Sequence, residues 1–131
     1  MTREQRIGLT LLRVTIAVII LIHGAARVWS GGVEPFGEFL KAQGNPIGPA
    51  AAWMITLMEI FGGAALAAGY CVFPLCAFFF VQIAMGIAMV HAREGWFVVG
   101  LGRNGMEFSV LILAVLACVA LTDSLVKKSV R

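Results

Sequence analysis

From Ala50 to Tyr70 the chain reads AAAWMITLMEIFGGAALAAGY, a stretch whose single ionisable residue is Glu59. A helix needs about 20 apolar residues to cross a bilayer core. The stretch is therefore the length of one membrane crossing, with a carboxylate near its middle. A charge at that depth costs roughly 2.5–3.5 kcal/mol on insertion scales unless it is paired or protonated. Any fold this chain adopts must give Glu59 a polar setting away from lipid.

The rest of the chain fits that environment. Hydrophobic residues make up 60% and charged residues 13%, against about 25% charged in soluble domains. Apolar segments at approximately 7–28, 50–69, 73–91 and 105–122 supply four crossings. The expected fold class is all-α, an integral membrane four-helix bundle in one domain (1–131). Short interfacial segments join helices 1 and 2 and helices 3 and 4. The formal net charge of +3 comes mostly from residues near helix ends, which suits anionic lipid surfaces. No basic run is interleaved with aromatics, which excludes nucleic acid as a partner. Arg3 and Arg6 resemble the head of a signal peptide, but Arg13 interrupts the apolar run and HGAAR is a poor cleavage site. The first segment reads as a retained helix. Cys71, Cys76 and Cys118 contain no C-x-x-C pair and read as small hydrophobes.

Helical periodicity assigns faces. On helix 1, Arg13, Ala17, Ile20, Gly24 and Arg27 line one side, expected to face the bundle. On helix 2 a small and polar face holds Ala52, Thr56, Glu59, Gly63 and Ala67. Small residues let helices approach closely in lipid, so Glu59 is expected to point inward. Helix 3 has a small side, Ala77, Ala84 and Ala88, ending at His91; helix 4 begins at Glu107 and continues along Ala114 and Cys118. Residues 34–43 predict a short interfacial helix, and the Trp96–Val99 core of the second connection is expected to dip into the interface. Trp29, Trp53 and Trp96 read as interface anchors.

Orientation follows from the basic residues at the termini, Arg3, Arg6, Lys127, Lys128 and Arg131, which place both ends in the cytoplasm. His23, Arg27, His91 and Glu107 then fall on the outer side, with Glu59 near mid-membrane and Arg13 deeper. Arg13 is the expected partner of Glu59 from below.

Arg13, His23-Gly24-Ala25-Ala26-Arg27, Met58-Glu59-Ile60-Phe61-Gly62-Gly63, Ala68-Gly69, His91 and Asn104-Gly105-Met106-Glu107-Phe108 occur in an order that resembles the DoxX family of small four-helix membrane proteins. Arg27 stands where a lysine is common in that family, and the Gly-Pro-Gly often seen after helix 4 is absent before Asp123. The resemblance implies a bacterial inner-membrane, multi-pass protein. In some members it implies a link to quinone-coupled oxidoreductases and redox-protective complexes.

The residues support several functions. The first is a quinone or other small redox ligand held in a polar pocket in the outer half of the bundle. Quinone reduction takes two protons as well as two electrons, and carboxylates or histidines can supply the protons. Glu59, His91 and Glu107 are the candidate catalytic residues; Arg13, His23 and Arg27 are the candidate ligand-binding residues. The chain shows no electron carrier of its own, so a partner carrying flavin, haem or metal would be required. The second is a non-catalytic accessory or assembly subunit that docks a larger membrane or periplasmic protein, its charges forming a packing network. The third is transport of a small molecule or a proton past the intramembrane charges. Haem ligation by His23 and His91, or copper held by Met54, Met58, Met85 and Met89, is disfavoured, and no metal site is assigned. Quinone is the one cofactor candidate. The small-residue faces also allow a homo-oligomer.

Overall fold

A computed structural model describes residues 1–101 and 103–129, with residues 125–129 described by backbone alone. The side chains of Lys127 and Lys128, and all of Arg131, lie outside the described residues. Among the described residues the chain forms helices and no strand. Four helices are long and apolar enough to cross a membrane: α1 (Arg3–Trp29), α3 (Gly48–Ala68), α4 (Val72–Glu94) and α5 (Glu107–Ser129, of which Glu107–Ser124 is the apolar span). The short α2 (Val33–Ala42) stands between α1 and α3. This is the all-α membrane class expected from the sequence.

Two of the crossing helices are not uniformly α-helical. In α3 the stretch Met58–Gly62 is a π-helical turn, and in α4 the stretch Ile87–His91 is another. Such turns bond i to i+5 and occur mostly as single-turn bulges, frequently at functional sites. The apolar periodicity does not reveal either one. Each contains an ionisable residue, Glu59 in the first and His91 in the second.

The chain divides into two compact units. In Ala17–Tyr70, the second half of α1 packs on α3 through small residues. Gly63 abuts the Ala17 carbonyl and Leu21. A Cβ on Gly24 would come within 2.8 Å of the Glu59 Cβ. Ala17, Ala52, Thr56 and Leu66 are fully buried, and Ile20 nearly so. The faces expected of helices 1 and 2 are thus the packed ones here. In α2, Val33, Gly37 and Leu40 form its buried side, and Gly37 and Gly48 let α2 and α3 meet backbone to backbone.

The second unit comprises Met1–Ile16 and Cys71–Arg131, with α4 packed on α5. Its packed face is built mainly of large side chains. Val72, Leu75, Cys76 and Phe79 of α4 are buried, as are Ser109, Ile112, Leu116 and Val119 of α5. Ala77, Ala88, Ala114 and Cys118 are exposed, and Ala84 is half-buried. The physical reason is contact area: many weak dispersion contacts add up on large side chains, and a small face adds little unless a backbone comes close. Phe73, Phe80, Val81 and Met85 remain exposed on α4, as suits a helix that meets lipid.

Tight turns complete the chain. Gly31, Gly44 and Gly69 hold positive φ between helices, and Cys71, at φ 46°, is the one non-glycine residue there among those described.

Candidate functional site

The most developed polar arrangement lies in the unit Ala17–Tyr70. Arg27, in the last turn of α1, points its guanidinium at Glu59 in the π-helical turn of α3. Nη1 donates to Glu59 Oε2 at 2.6 Å and to Thr56 Oγ1 at 3.1 Å; Nη2 donates to Glu59 Oε1 at 3.4 Å. The guanidinium also stacks 4.6 Å from the centroid of the Phe36 ring, contributed by α2. The Glu59 side chain is 5% exposed and that of Arg27 20%. Thr56 donates its own hydroxyl proton to the Ala52 carbonyl at 2.7 Å, which turns its lone pairs toward Arg27.

The sequence accounts for this locally. Gly24 has no side chain, so α1 can close onto α3 beside Glu59 and Thr56. Arg27 follows three residues later on the same face of α1. A helix N-terminus close by is not required: the charge is compensated side chain to side chain. Planar guanidinium and carboxylate pair through two N–H donors, a fork geometry that lysine cannot supply. Sequence reasoning placed Arg27 among the ligand-binding candidates and looked to Arg13 as the partner of Glu59; the structure gives Glu59 to Arg27. At the end of a helix a long arginine side chain reaches inward as readily as it snorkels outward. Thr56 was assigned to the right face, but neither it nor Phe36 was singled out as a partner of Arg27.

His23, although adjacent to Gly24, is exposed on α1. One residue is a 100° step around a helix, which turns it off the face that packs on α3.

A second arrangement lies in the other unit. His91, half-buried in the π-helical turn of α4, meets the Asn104 carbonyl through Nδ1 at 2.9 Å. A carbonyl can only accept, so the imidazole carries its proton on Nδ1. Its Nε2 is then left with a lone pair in the neutral ring. Glu107, at the start of α5, accepts the backbone N–H groups of both Val98 and Val99 through Oε1, at 2.8 and 2.9 Å. Glu107 thus holds the connection between α4 and α5 closed. Gly105 lets that connection fold back: a Cβ there would press on the Trp96 backbone. Arg13, in the first half of α1, is half-buried, and its Nε is buried without a hydrogen-bond partner among the described residues.

The structure therefore joins Glu59 with Arg27 in one unit. In the other it gives His91 and Glu107 separate backbone partners on the same connection. Among the described residues no group of three or more His, Cys, Asp or Glu side chains gathers to hold a metal.

No curated protein and no solved structure matches the chain. A family model described as DoxX matches residues 8–92, well over half of the sequence. That region spans Arg13, His23, Arg27, Glu59 and His91 and stops short of Glu107. The chain belongs to the DoxX family.

Proposed function

We propose that this DoxX protein is a redox-linked subunit of a bacterial inner membrane, with both termini cytoplasmic, that binds a quinone or related small redox ligand at Arg27 and Glu59. The observation that carries the reading is the buried Arg27–Glu59–Thr56 arrangement at a π-helical turn inside a membrane-length helix. Keeping a carboxylate at that depth is costly, and π-helical turns are frequent at functional sites.

The residues fit such a ligand. A quinone ring presents carbonyl oxygens that accept hydrogen bonds, and a guanidinium has five N–H donors, not all of them committed to Glu59 and Thr56. The Glu59 Oε1 contact at 3.4 Å is much looser than the Oε2 contact. Arg27 would steady negative charge that develops on a ligand bound beside Glu59. The Phe36 ring offers an apolar surface at the same place. When bound, a quinone carries the two electrons and two protons; the electrons come from a partner protein with its own cofactor.

Binding of a short-chain quinone analogue to the purified protein in nanodiscs tests this. Wild type is expected to bind, with affinity at least tenfold weaker in Arg27→Met and Glu59→Gln. Absence of binding to wild type overturns the reading.

One observation favours a second reading, that of an accessory or assembly subunit. Arg27 makes two contacts with Glu59, one with Thr56 and one with the Phe36 ring, which is how a structural network would use it. Recovery of a larger membrane or periplasmic partner by crosslinking, with no quinone bound, would favour that role.

A further inference from the structure

The connection from Gly95 to Met106 has properties that a water-exposed loop does not need. Trp96, Phe97, Val98, Val99 and Leu101 are all exposed, Val99 at 78% and Leu101 at 71%. The backbone beneath these side chains is nevertheless paired within the protein. Val98 and Val99 donate to Glu107 Oε1, and Leu101 donates to the Val99 carbonyl. Gly105, Met106 and Glu107 donate to the carbonyls of Phe97, Gly95 and Trp96. In water those amides could bond to solvent at little cost. In hydrocarbon each unsatisfied polar group costs several kcal/mol, so a backbone paired within the protein lets the apolar side chains on it reach the acyl boundary.

The same loop encloses an open hollow of about 250 Å³ lined by Glu94, Gly95, Trp96, Phe97, Leu101 and Arg103. Glu94 and Arg103 bring opposite charges to it, and no salt bridge joins them among the described residues. An anion-binding arginine, a cation-binding carboxylate and an aromatic floor match the phosphate, ammonium and upper glycerol of a zwitterionic phospholipid.

We propose that the segment Gly95–Leu101 is a wedge inserted into the bilayer interface, clamped by Glu107, and that the hollow beside it seats a zwitterionic phospholipid headgroup between Arg103 and Glu94. Trp96 then lies at headgroup level, as interfacial tryptophans do. Val99 and Leu101 enter the acyl boundary. The wedge does not depend on the redox reading.

The test uses full-length protein carrying Trp29→Phe and Trp53→Phe, so that Trp96 alone reports. It is reconstituted in vesicles of phosphatidylethanolamine or phosphatidylglycerol with brominated acyl chains. The expected result is strong quenching by shallow bromines and little quenching by aqueous acrylamide. Free quenching by acrylamide, or protection from both quenchers, overturns the wedge; the latter would mean that protein covers the loop. Glu107→Ala should expose Trp96 to acrylamide while helix content by circular dichroism is unchanged. Glu107→Gln, which retains an acceptor oxygen, should not expose it. For the hollow, wild type should bind a soluble short-chain phosphatidylethanolamine about fivefold more tightly than Arg103→Ala, since the variant loses the guanidinium that pairs with the phosphate. Equal binding by wild type, Arg103→Ala and Glu94→Gln overturns the headgroup site.

Discussion

Arg27 Nη1 lies 2.6 Å from Glu59 Oε2, joining the last turn of α1 to the π-helical turn of α3 across 32 residues of sequence. The pair brings together two charges that could not remain in an apolar segment singly. It also dictates what each substitution should do.

Truncating one partner leaves the other charge buried and uncompensated. Glu59→Ala or Arg27→Ala should each destabilise the protein by about 3–5 kcal/mol, whereas replacing both with apolar residues of similar volume should cost far less. Thermal unfolding in detergent, run as a double-mutant cycle, checks this. Additive losses would show that the two side chains are not coupled. Arg27→Lys should fall between wild type and Arg27→Ala, since an ammonium keeps the charge and loses the fork.

Gly24 is the second requirement for that pair. Because a Cβ there would sit 2.8 Å from the Glu59 Cβ and 3.0 Å from the Thr56 carbonyl, Gly24→Ala should force α1 away from α3. The expected loss is about 1–3 kcal/mol, typical of overpacking, with weaker Arg27–Glu59 coupling in the same cycle. Gly8→Ala in the same helix, with open space around it, should be neutral or slightly stabilising. Equal effects from the two would refute the close approach.

In the connection between α4 and α5, Gly105 packs directly on the Trp96 backbone. Gly105→Ala should therefore open that connection and remove the Asn104 carbonyl from His91. Limited proteolysis between Gly95 and Met106 should speed up severalfold. ¹⁵N NMR of the imidazole should show the Nδ1-protonated form in wild type and a mixture of tautomers in the variant. A wild-type imidazole protonated only on Nε2 would contradict the geometry at Asn104.

Cys71 holds φ at 46° immediately before α4. A left-handed conformation costs a side-chain-bearing residue roughly 1–2 kcal/mol, part of which glycine returns as unfolded-state entropy. Cys71→Gly should raise the midpoint of thermal unfolding modestly, by up to about 1 kcal/mol in stability. Cys71→Val, β-branched, should lower it.

Much of this architecture is legible in the residues themselves. Long uncharged runs can only be membrane helices when backbone polar groups must be satisfied without water, so the all-α membrane class needs no tertiary information. The face of α3 carrying Ala52, Thr56, Glu59 and Gly63 follows from a 100° step per residue, as does the face of α1 from Ala17 to Arg27. The ordered pieces around His23, Glu59 and His91 also carried the resemblance to the family.

What periodicity cannot determine is which of several faces will pack, and which charge meets which. In α4 and α5 the large residues, not the alanines, form the contact, because contact area depends on the helix opposite. The partner of Glu59 depended on how closely α1 approaches α3 at Gly24, and on the reach of a flexible side chain. The two π-helical turns insert a local change of backbone hydrogen bonding that leaves no mark on hydropathy. The sequence alone determined that Glu59 must have a polar partner inside a membrane helix, because lipid offers none. Only the tertiary structure decided that Arg27 provides it, because pairing across 32 residues is set by helix packing and not by spacing along the chain.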